Sequence, residues 1–516
     1  MSRVSKSIKN AKVGVFFFLI SIVVQFFSRK IFLDHLGDEF IGLDATLRSI
    51  LGFLNLAELG IGTAIGFALY KPIFDEDQNE INKIVALLGV LYKRIGFIII
   101  GLGVITSLFF PLIFKDAPFS LLLIYFIFYA LLSSSLLSYF VNYHQSLLGA
   151  DQKGYIIQSY FQIFNITRVI IQCFVAIYLQ NFYLWIALEL VFSVIYSIVL
   201  RSKVKEHYPW LILNSSQKAE IIKEYPELIK TIKQVFIHKI SVFVKGGTDN
   251  ILVYALVNLQ SVAFFGNYQL IFLKLSGLVK MAFAGTGSAI GNLVAENDKE
   301  NINKIFWELI AVQFFIAGFF SMIIYYIMEP FIILWLGAEY IMANSVLLLM
   351  IANFFIYEIS TPIERYKNAY GLYSDTWAPA TEVILNLAIS YFFGRIWGIE
   401  GILLGTLVSA TLIVIIWKPY FLYKNGFKKN VWHYWKGIMP VTIVFFISAF
   451  LINYIVSHFP YNKSSSNLIN WAIYLFKVTS IVTLIYGVLL FIFIKGFKVF
   501  CLRMKKLLQH KLFTNK

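Results

Sequence analysis

Acidic residues, proline and cysteine are all scarce in this chain. Of its 516 residues, 28 are Asp or Glu, 11 are proline and two are cysteine. Cys173 and Cys501 stand far apart, one in an apolar run and one in a basic tail, so no disulfide framework or thiolate metal site follows from them. Charged residues of both signs make up 14% of the chain, too little polar surface to cover a soluble globule. Recognisable reaction chemistry is missing as well. There is no Walker lysine loop, no HExxH helix and no cluster of Cys and His. Asp75-Glu76-Asp77 has the outline of a DxD metal site, but Glu296-Asn297-Asp298 occupies the corresponding turn later in the chain. A repeated acidic turn is better explained as architecture. Asn462-Lys463-Ser464 is a glycosylation sequon by pattern only, without force in a bacterial host.

What the chain has in abundance is hydrocarbon. Hydrophobic residues make up 59% and aromatics 18%, and many apolar runs reach the roughly 18 to 20 residues that span a bilayer. The expected fold class is an all-α polytopic membrane protein. The basic stretch 1–12 followed by apolar 13–27 imitates a secretory signal, but no small-residue cleavage site follows, so it is read as the first span. Fourteen spans are expected, near 13–33, 43–70, 84–114, 119–145, 155–180, 182–200, 236–257, 262–294, 304–333, 340–363, 376–396, 400–423, 437–457 and 468–495. The chain also repeats itself. Gly60-Ile61-Gly62-Thr63-Ala64-Ile65-Gly66 returns as Gly285-Thr286-Gly287-Ser288-Ala289-Ile290-Gly291. Each copy is followed by a polar turn and a shared phrase, Glu80-Ile81-Asn82-Lys83-Ile84 and Asn301-Ile302-Asn303-Lys304-Ile305. Pairing spans 1–6 with 7–12 gives two parallel six-helix repeats, because six is even and both halves keep one orientation. The expected domains are an N-terminal lobe (1–200), a cytoplasmic amphipathic linker (201–235), a C-terminal lobe (236–424), and a last helix pair with a basic tail (425–516).

Charge sets the orientation. With the N-terminus inside, the expected outer loops hold only Lys115, Arg395 and Lys463 of the 44 Lys and Arg residues, while most of the rest fall on inner segments. The net charge of +16 is thus read as an inner-face distribution against anionic lipid, with no nucleic-acid partner. Both termini are expected to be cytoplasmic. In the linker, Leu228, Ile229, Ile232, Val235 and Phe236 recur at helical intervals among lysines, the pattern of an interfacial helix.

Two stretches carry a family likeness. Arg29-Lys30-Ile31-Phe32-Leu33-Asp34-His35-Leu36-Gly37 with Ile41-Gly42-Leu43, and Leu56-Ala57-Glu58-Leu59-Gly60-Ile61-Gly62 running to Leu69-Tyr70-Lys71-Pro72, resemble polysaccharide repeat-unit flippases of the Wzx type. That superfamily also contains multidrug extruders and the lipid II flippase. Gly247-Thr248-Asp249-Asn250-Ile251-Leu252, followed by Phe265-Gly266-Asn267-Tyr268, is similar to the opening of that family's second lobe. The resemblance spans roughly residues 10–424. It implies a V-shaped pair of six-helix lobes that carries undecaprenyl-diphosphate-linked oligosaccharide across the bacterial cytoplasmic membrane by alternating access, for O-antigen, capsule or exopolysaccharide synthesis. The last two spans vary among branches.

The residues themselves supply candidates. A charge at the bilayer centre costs about 2.5–3.5 kcal/mol on insertion scales, so it needs a cavity or a partner. Arg29, Arg48, Arg168, Lys245 and Lys274 form the candidate cationic lining for a diphosphate, whose oxygens arginine meets with paired N–H groups. At about 100° per residue, Arg48 shares a face with Gly52, Asn55, Gly62 and Gly66, and Lys274 shares one with Gly277, Met281, Gly285, Ser288 and Asn292. Each cation also has a plainer reading. Arg29 and Arg48 can snorkel to the outer interface, Lys245 and Asp249 can neutralise each other, and Arg168 can be buried against Glu189 or another acid. Glu58 and Asp249 are candidates to bind a coupling H+ or Na+, or else belong to structural ion pairs. Glu308, Glu358 and Glu382 are weaker candidates. Gly62, Gly66, Gly287 and Gly291 are read as helix-packing positions or as part of an inner gate.

The leading expectation is a non-enzymatic flippase with no cofactor and no metal site. Its expected partners are membrane lipid, the lipid-linked oligosaccharide, a coupling ion, and polymerase or chain-length assembly proteins. Alternatives are a multidrug extruder or lipid II flippase of the same superfamily, and a membrane oligosaccharide polymerase. The polymerase fits least, because the longest outer loop, near 458–467, is short and lacks acids.

Overall fold

The computed structural model describes residues 3–55, 61–212, 224–226, 228–229, 247–283, 285–462 and 467–514. Regular structure among them is helical, and the chain divides into two compact units, Met1–Asn267 and Tyr268–Lys516. The first unit holds α1 (Arg3–Leu36), α2 (Asp38–Leu54), α3 (Ile61–Phe74), α4 (Gln78–Leu108), α5 (Leu121–Phe140), the short α6 (Gln145–Ala150), α7 (Gly154–Phe174), α8 (Phe182–His207) and α9 (Asp249–Leu256). Helix α10 (Leu259–Ala282) begins in it. The second unit continues with α11 (Thr286–Ala295), α12 (Lys299–Trp335), α13 (Asn344–Ala369), α14 (Trp377–Trp397) and α15 (Ile399–Ala410), the last prolonged by wider π-type turns to Phe427. It ends with α16 (Trp432–Val456), α17 (Leu468–Phe493) and α18 (Lys495–Thr514).

Among the described residues, 11 helices are long and apolar enough to cross a membrane, against the fourteen spans expected. The shortfall has three local causes. The expected span 43–70 is divided between α2 and α3, with 56–60 outside the described residues. The span 236–257 falls largely outside them, leaving α9. The span 376–396 is present as α14, but Glu382, Asn386 and Ser390 make it more polar. Most of the expected interfacial linker helix also lies outside the described residues. Its flanks are tied to the first unit, where the Ile212 N–H donates to Asn82 Oδ1 (2.9 Å) and the Tyr225 hydroxyl to Glu80 Oε1 (2.8 Å).

The repeated acidic turns have a structural explanation. Asp77 accepts from the Glu80 N–H (3.0 Å) at the start of α4, and Asp298 accepts from the Glu300 and Asn301 N–H groups (3.1 Å each) at the start of α12. The residue before each cap is left-handed, Glu76 at φ 55° and Asn297 at φ 57°. Each turn therefore reverses the chain and supplies acceptors that the first helical turn lacks. This accounts for both acidic turns as helix caps.

In the first unit, Gly42 of α2 lies against the chain at the start of α10, where a Cβ would stand 1.9 Å from the Leu259 carbonyl oxygen. Only glycine allows that approach. Phe40 beside it stacks on Phe182 and meets Trp185 edge-on, closing α2 onto α8. In the second unit α12 is the central post. Its 37 residues extend roughly 55 Å at 1.5 Å per residue, well beyond a roughly 30 Å hydrocarbon core. Phe306, Ile310, Phe314 and Ala317 line one buried core with Tyr434, Val478, Val482 and Tyr486 from α16 and α17. The basic tail is docked as α18, with Arg503 reaching the buried Glu308 of α12.

His144 lies in the turn after α5, beyond the spanning helix, and is only 2% exposed. Burial, aided by the Arg201 charge, pushes its pKa down to about 4. Unfolded, the same ring titrates near 6.5, so the unfolded chain binds more protons in between. Stability present above about pH 6.5 is therefore lost as pH falls towards about 4, on the order of 3 kcal/mol in all. Thermal unfolding of the detergent-solubilised protein between pH 7 and pH 4 checks this. His144→Gln is expected to flatten the acid limb, and equal slopes in both proteins would exclude the histidine as its source.

Candidate functional site

Three helices of the first unit bring ionic groups together within the spans. Arg48 projects from α2 one turn after Asp44, Arg168 from the later part of α7, and Glu189 from the first half of α8. Arg48 donates through Nε to Asp44 Oδ2 (2.8 Å) and forks onto Glu189, Nη1 to Oε1 (3.0 Å) and Nη2 to Oε2 (2.6 Å). Arg168 Nη1 stands 2.8 Å from the same Glu189 Oε1, and its Nη2 donates to Asn165 Oδ1 (2.7 Å). Two guanidiniums and two carboxylates thus balance in charge. The paired fork is the strong form of this contact, and its charge balance lowers the cost of placing ions among apolar helices. Arg48 is the more exposed of the two, its side chain 39% exposed against 13% for Glu189. The buried Nε of Arg168 has no acceptor among the described residues.

The sequence candidates are distributed as follows. Arg48 and Arg168 meet through Glu189. Arg29 is held elsewhere in the same unit, by Asn267 Oδ1 to its Nε (2.7 Å) and the Ala263 carbonyl to its Nη2 (2.9 Å). Asp249 is buried at the start of α9, and its Oδ1 meets no partner among the described residues. The neighbouring Asn250 donates to Ser49 of α2 (3.1 Å). Lys274 stands half-buried on α10. Lys245 and Glu58 lie outside the described residues. Of the glycines, Gly62 sits near the Tyr92 hydroxyl, 3.4 Å from where a Cβ would be, whereas nothing comes within 4 Å of a Cβ built at Gly66, Gly287 or Gly291. The close backbone approaches are made at other glycines, including Gly42 and Gly405.

Sequence reading passed over several residues that complete these groups. Asp44 had a local signal, since it lies four before Arg48 on one helix face. Asn267 stands in the family-like stretch Phe265–Tyr268, but nothing local ties it to Arg29, which is 238 residues away in sequence. The second unit has its own buried polar groups. Gln313 donates to Glu358 Oε2 (3.0 Å), Lys367 pairs with Asp375 (2.7 Å), and Asn386 donates to Thr406 Oγ1 (2.9 Å) across α14 and α15. Those last two helices nearly touch, since a Cβ at Gly405 would lie 2.1 Å from Ser390 Oγ. Among the described residues no group of three or more His, Cys, Asp or Glu is placed to hold a metal ion.

The sequence matches no protein-family profile and no curated protein. Solved structures do match. The lipid II flippase MurJ, in an inward closed conformation, aligns at a TM-score of 0.67 over 94% of this chain and 98% of its own, with 17% identity. An inward-facing multidrug resistance MATE family transporter of the MOP superfamily aligns at 0.58 over 81% of this chain and 99% of its own, with 14% identity. The chain shares the fold of these solved structures. A third match, a MOP superfamily transporter from Pyrococcus furiosus described by the reverse polarity of its binding pocket, scores 0.51 over 82% of this chain and 96% of its own, with 13% identity. The MurJ match covers more of this chain than the other two. Residues 1–424, the expected twelve-helix part, make up about four-fifths of the sequence.

Removing a buried acceptor from a half-buried arginine costs about 1–3 kcal/mol. Asn267→Leu is therefore expected to lower the thermal midpoint of the purified protein clearly, and Asn267→Asp to lower it less. A midpoint unchanged in Asn267→Leu would show that the Arg29 tie contributes nothing to the first unit.

Proposed function

We propose that this chain is a non-enzymatic flippase that moves a polyprenyl-diphosphate-linked saccharide across the bacterial cytoplasmic membrane by alternating access. The observation that carries the reading is the arginine pair inside the first unit, Arg48 and Arg168, set in a fold that matches the lipid II flippase over nearly the whole chain. A diphosphate crossing hydrocarbon must exchange water for fixed donors, and paired guanidiniums are suited to phosphate oxygens. Arg29, Lys245 and Lys274 extend the proposed cationic path, and Glu58 or Asp249 is proposed to bind the coupling H+ or Na+. The domains proposed from sequence, 1–200, 201–235, 236–424 and 425–516, are kept with this reading, as are the cytoplasmic termini.

Two cargoes fit the class. The likeness to MurJ favours lipid II, whereas the sequence resemblance at Arg29–Gly37 and Leu56–Pro72 favours an oligosaccharide repeat unit for O-antigen, capsule or exopolysaccharide, handed on to polymerase and chain-length proteins. Both present a sugar head on a diphosphate and a long isoprenoid. A second reading, export of small organic cations, has support from the MATE likeness and from the charge balance that Asp44 and Glu189 bring to the arginines.

Deleting the gene is expected to raise inner-leaflet polyprenyl-diphosphate saccharide severalfold, measured by mass spectrometry of lipid extracts. Arg48→Ala and Lys274→Ala at normal protein levels are expected to reproduce the rise. The precursor that accumulates identifies the cargo. Normal precursor pools and normal surface glycan, in a strain with no substitute flippase, would contradict the proposal.

A further inference from the structure

The acid that binds the arginine pair meets both guanidiniums at once. Glu189 presents two oxygens, and both are spent on the two guanidiniums: Oε1 on Arg48 and Arg168 (3.0 and 2.8 Å) and Oε2 on Arg48 (2.6 Å). A phosphate group offers the same kind of paired oxygens to an arginine fork. The donors outnumber the oxygens present. Arg168 Nε is buried without an acceptor among the described residues, and Arg48 keeps 39% of its side chain exposed with further N–H groups available. Asp44 is the second acid, but it takes only Arg48 Nε, leaving both terminal nitrogens of Arg48 to Glu189.

From this geometry, and resting on the flippase reading above, we propose that Glu189 is a resident counter-anion that holds the diphosphate-binding arginines between cargoes and gives them up when a diphosphate enters. Two unaccompanied guanidiniums within the spans would be costly, so an empty site needs an internal anion. An arriving diphosphate brings its own charge and several acceptor oxygens, enough to satisfy donors that one carboxylate leaves unused. Glu189 and the cargo then compete for the same N–H groups. The carboxylate weakens cargo binding and, by returning to the arginines, helps release it. This makes Glu189 a positioning residue whose removal strengthens binding, the opposite of what loss of a purely structural ion pair does.

The test uses the purified full-length protein and three soluble probes: farnesyl diphosphate, inorganic diphosphate and farnesol. Glu189→Gln, which keeps the size of the side chain and removes its charge, is expected to bind both diphosphates about tenfold more tightly than the native chain, with farnesol binding unchanged. Glu189→Asp, which keeps the charge but is too short to bridge both arginines, is expected to give a smaller gain. It serves as the decisive variant if Glu189→Gln does not fold by its thermal midpoint. Arg48→Gln is expected to abolish binding of both diphosphates. Diphosphate binding that is equal or weaker in the folded Glu189 variants would overturn the counter-anion role while leaving the flippase reading intact. A native chain that binds neither diphosphate, with Glu189→Gln equally inert, would overturn both. Tightening confined to farnesol would also overturn the proposal, because it would place the gain on the isoprenoid.

Discussion

An ionised side chain inside a bilayer must be provided with a partner or with water, and the arrangement of this protein follows from how its few acids are used. With 28 acids against 44 Lys and Arg, a carboxylate within a span is a limited resource. In the first unit Glu189 serves two arginines at once, and Asp44 supports one of them from a turn away. Arg29 is held by an amide and a backbone carbonyl. In the second unit Glu308 receives Arg503 and Asp375 receives Lys367. The ties at Glu189, Arg29 and Glu308 join separate helices, so there the electrostatic requirement and the packing of the fold are met by the same residues.

Packing then adds its own conditions. Gly42 lets α2 lie on the start of α10, and Gly405 lets α15 lie on α14. Close contact of this kind brings van der Waals gain where lipid and side chain are equally apolar. It also leaves room for the polar links Asn386 to Thr406 and Ser390 to the Ile402 carbonyl, which satisfy groups that hydrocarbon cannot. The acidic turns before α4 and α12 share one left-handed residue and one Asp cap. A short phrase repeated in sequence has become a repeated way of reversing the chain.

Much of this was legible in the sequence, because hydrocarbon runs and helix caps are local properties. The helical class, most spans and the architectural reading of Asp75–Asp77 and Glu296–Asp298 could be read directly. Contacts between distant segments were less accessible. Arg168 had Glu189 as one of several open partners, and only the packing of α7 on α8 selects it. By sequence alone Arg48 faces a lined path or the outer interface, and its fork onto Glu189 depends on α2 meeting α8. The glycine repeats gave the register of the chain, yet close approaches between helices occur at other glycines such as Gly42 and Gly405, since the tightness of a helix crossing depends on the partner's surface. Lys245 and Glu58 lie outside the described residues, so their surroundings add nothing to either reading.

The proposed role turns on arginines that exchange an internal carboxylate for a diphosphate, on a fold matched over nearly its full length by the lipid II flippase. Its most direct test is a sided assay in proteoliposomes containing the purified protein and a fluorescent undecaprenyl-diphosphate saccharide, with an impermeant enzyme added outside to reach only outward-facing headgroups. Transport predicts that the accessible fraction rises from about half towards all of the label, and that Arg48→Ala holds it at about half. An accessible fraction that stays at about half with the native protein, for both lipid II and repeat-unit headgroups, would contradict it.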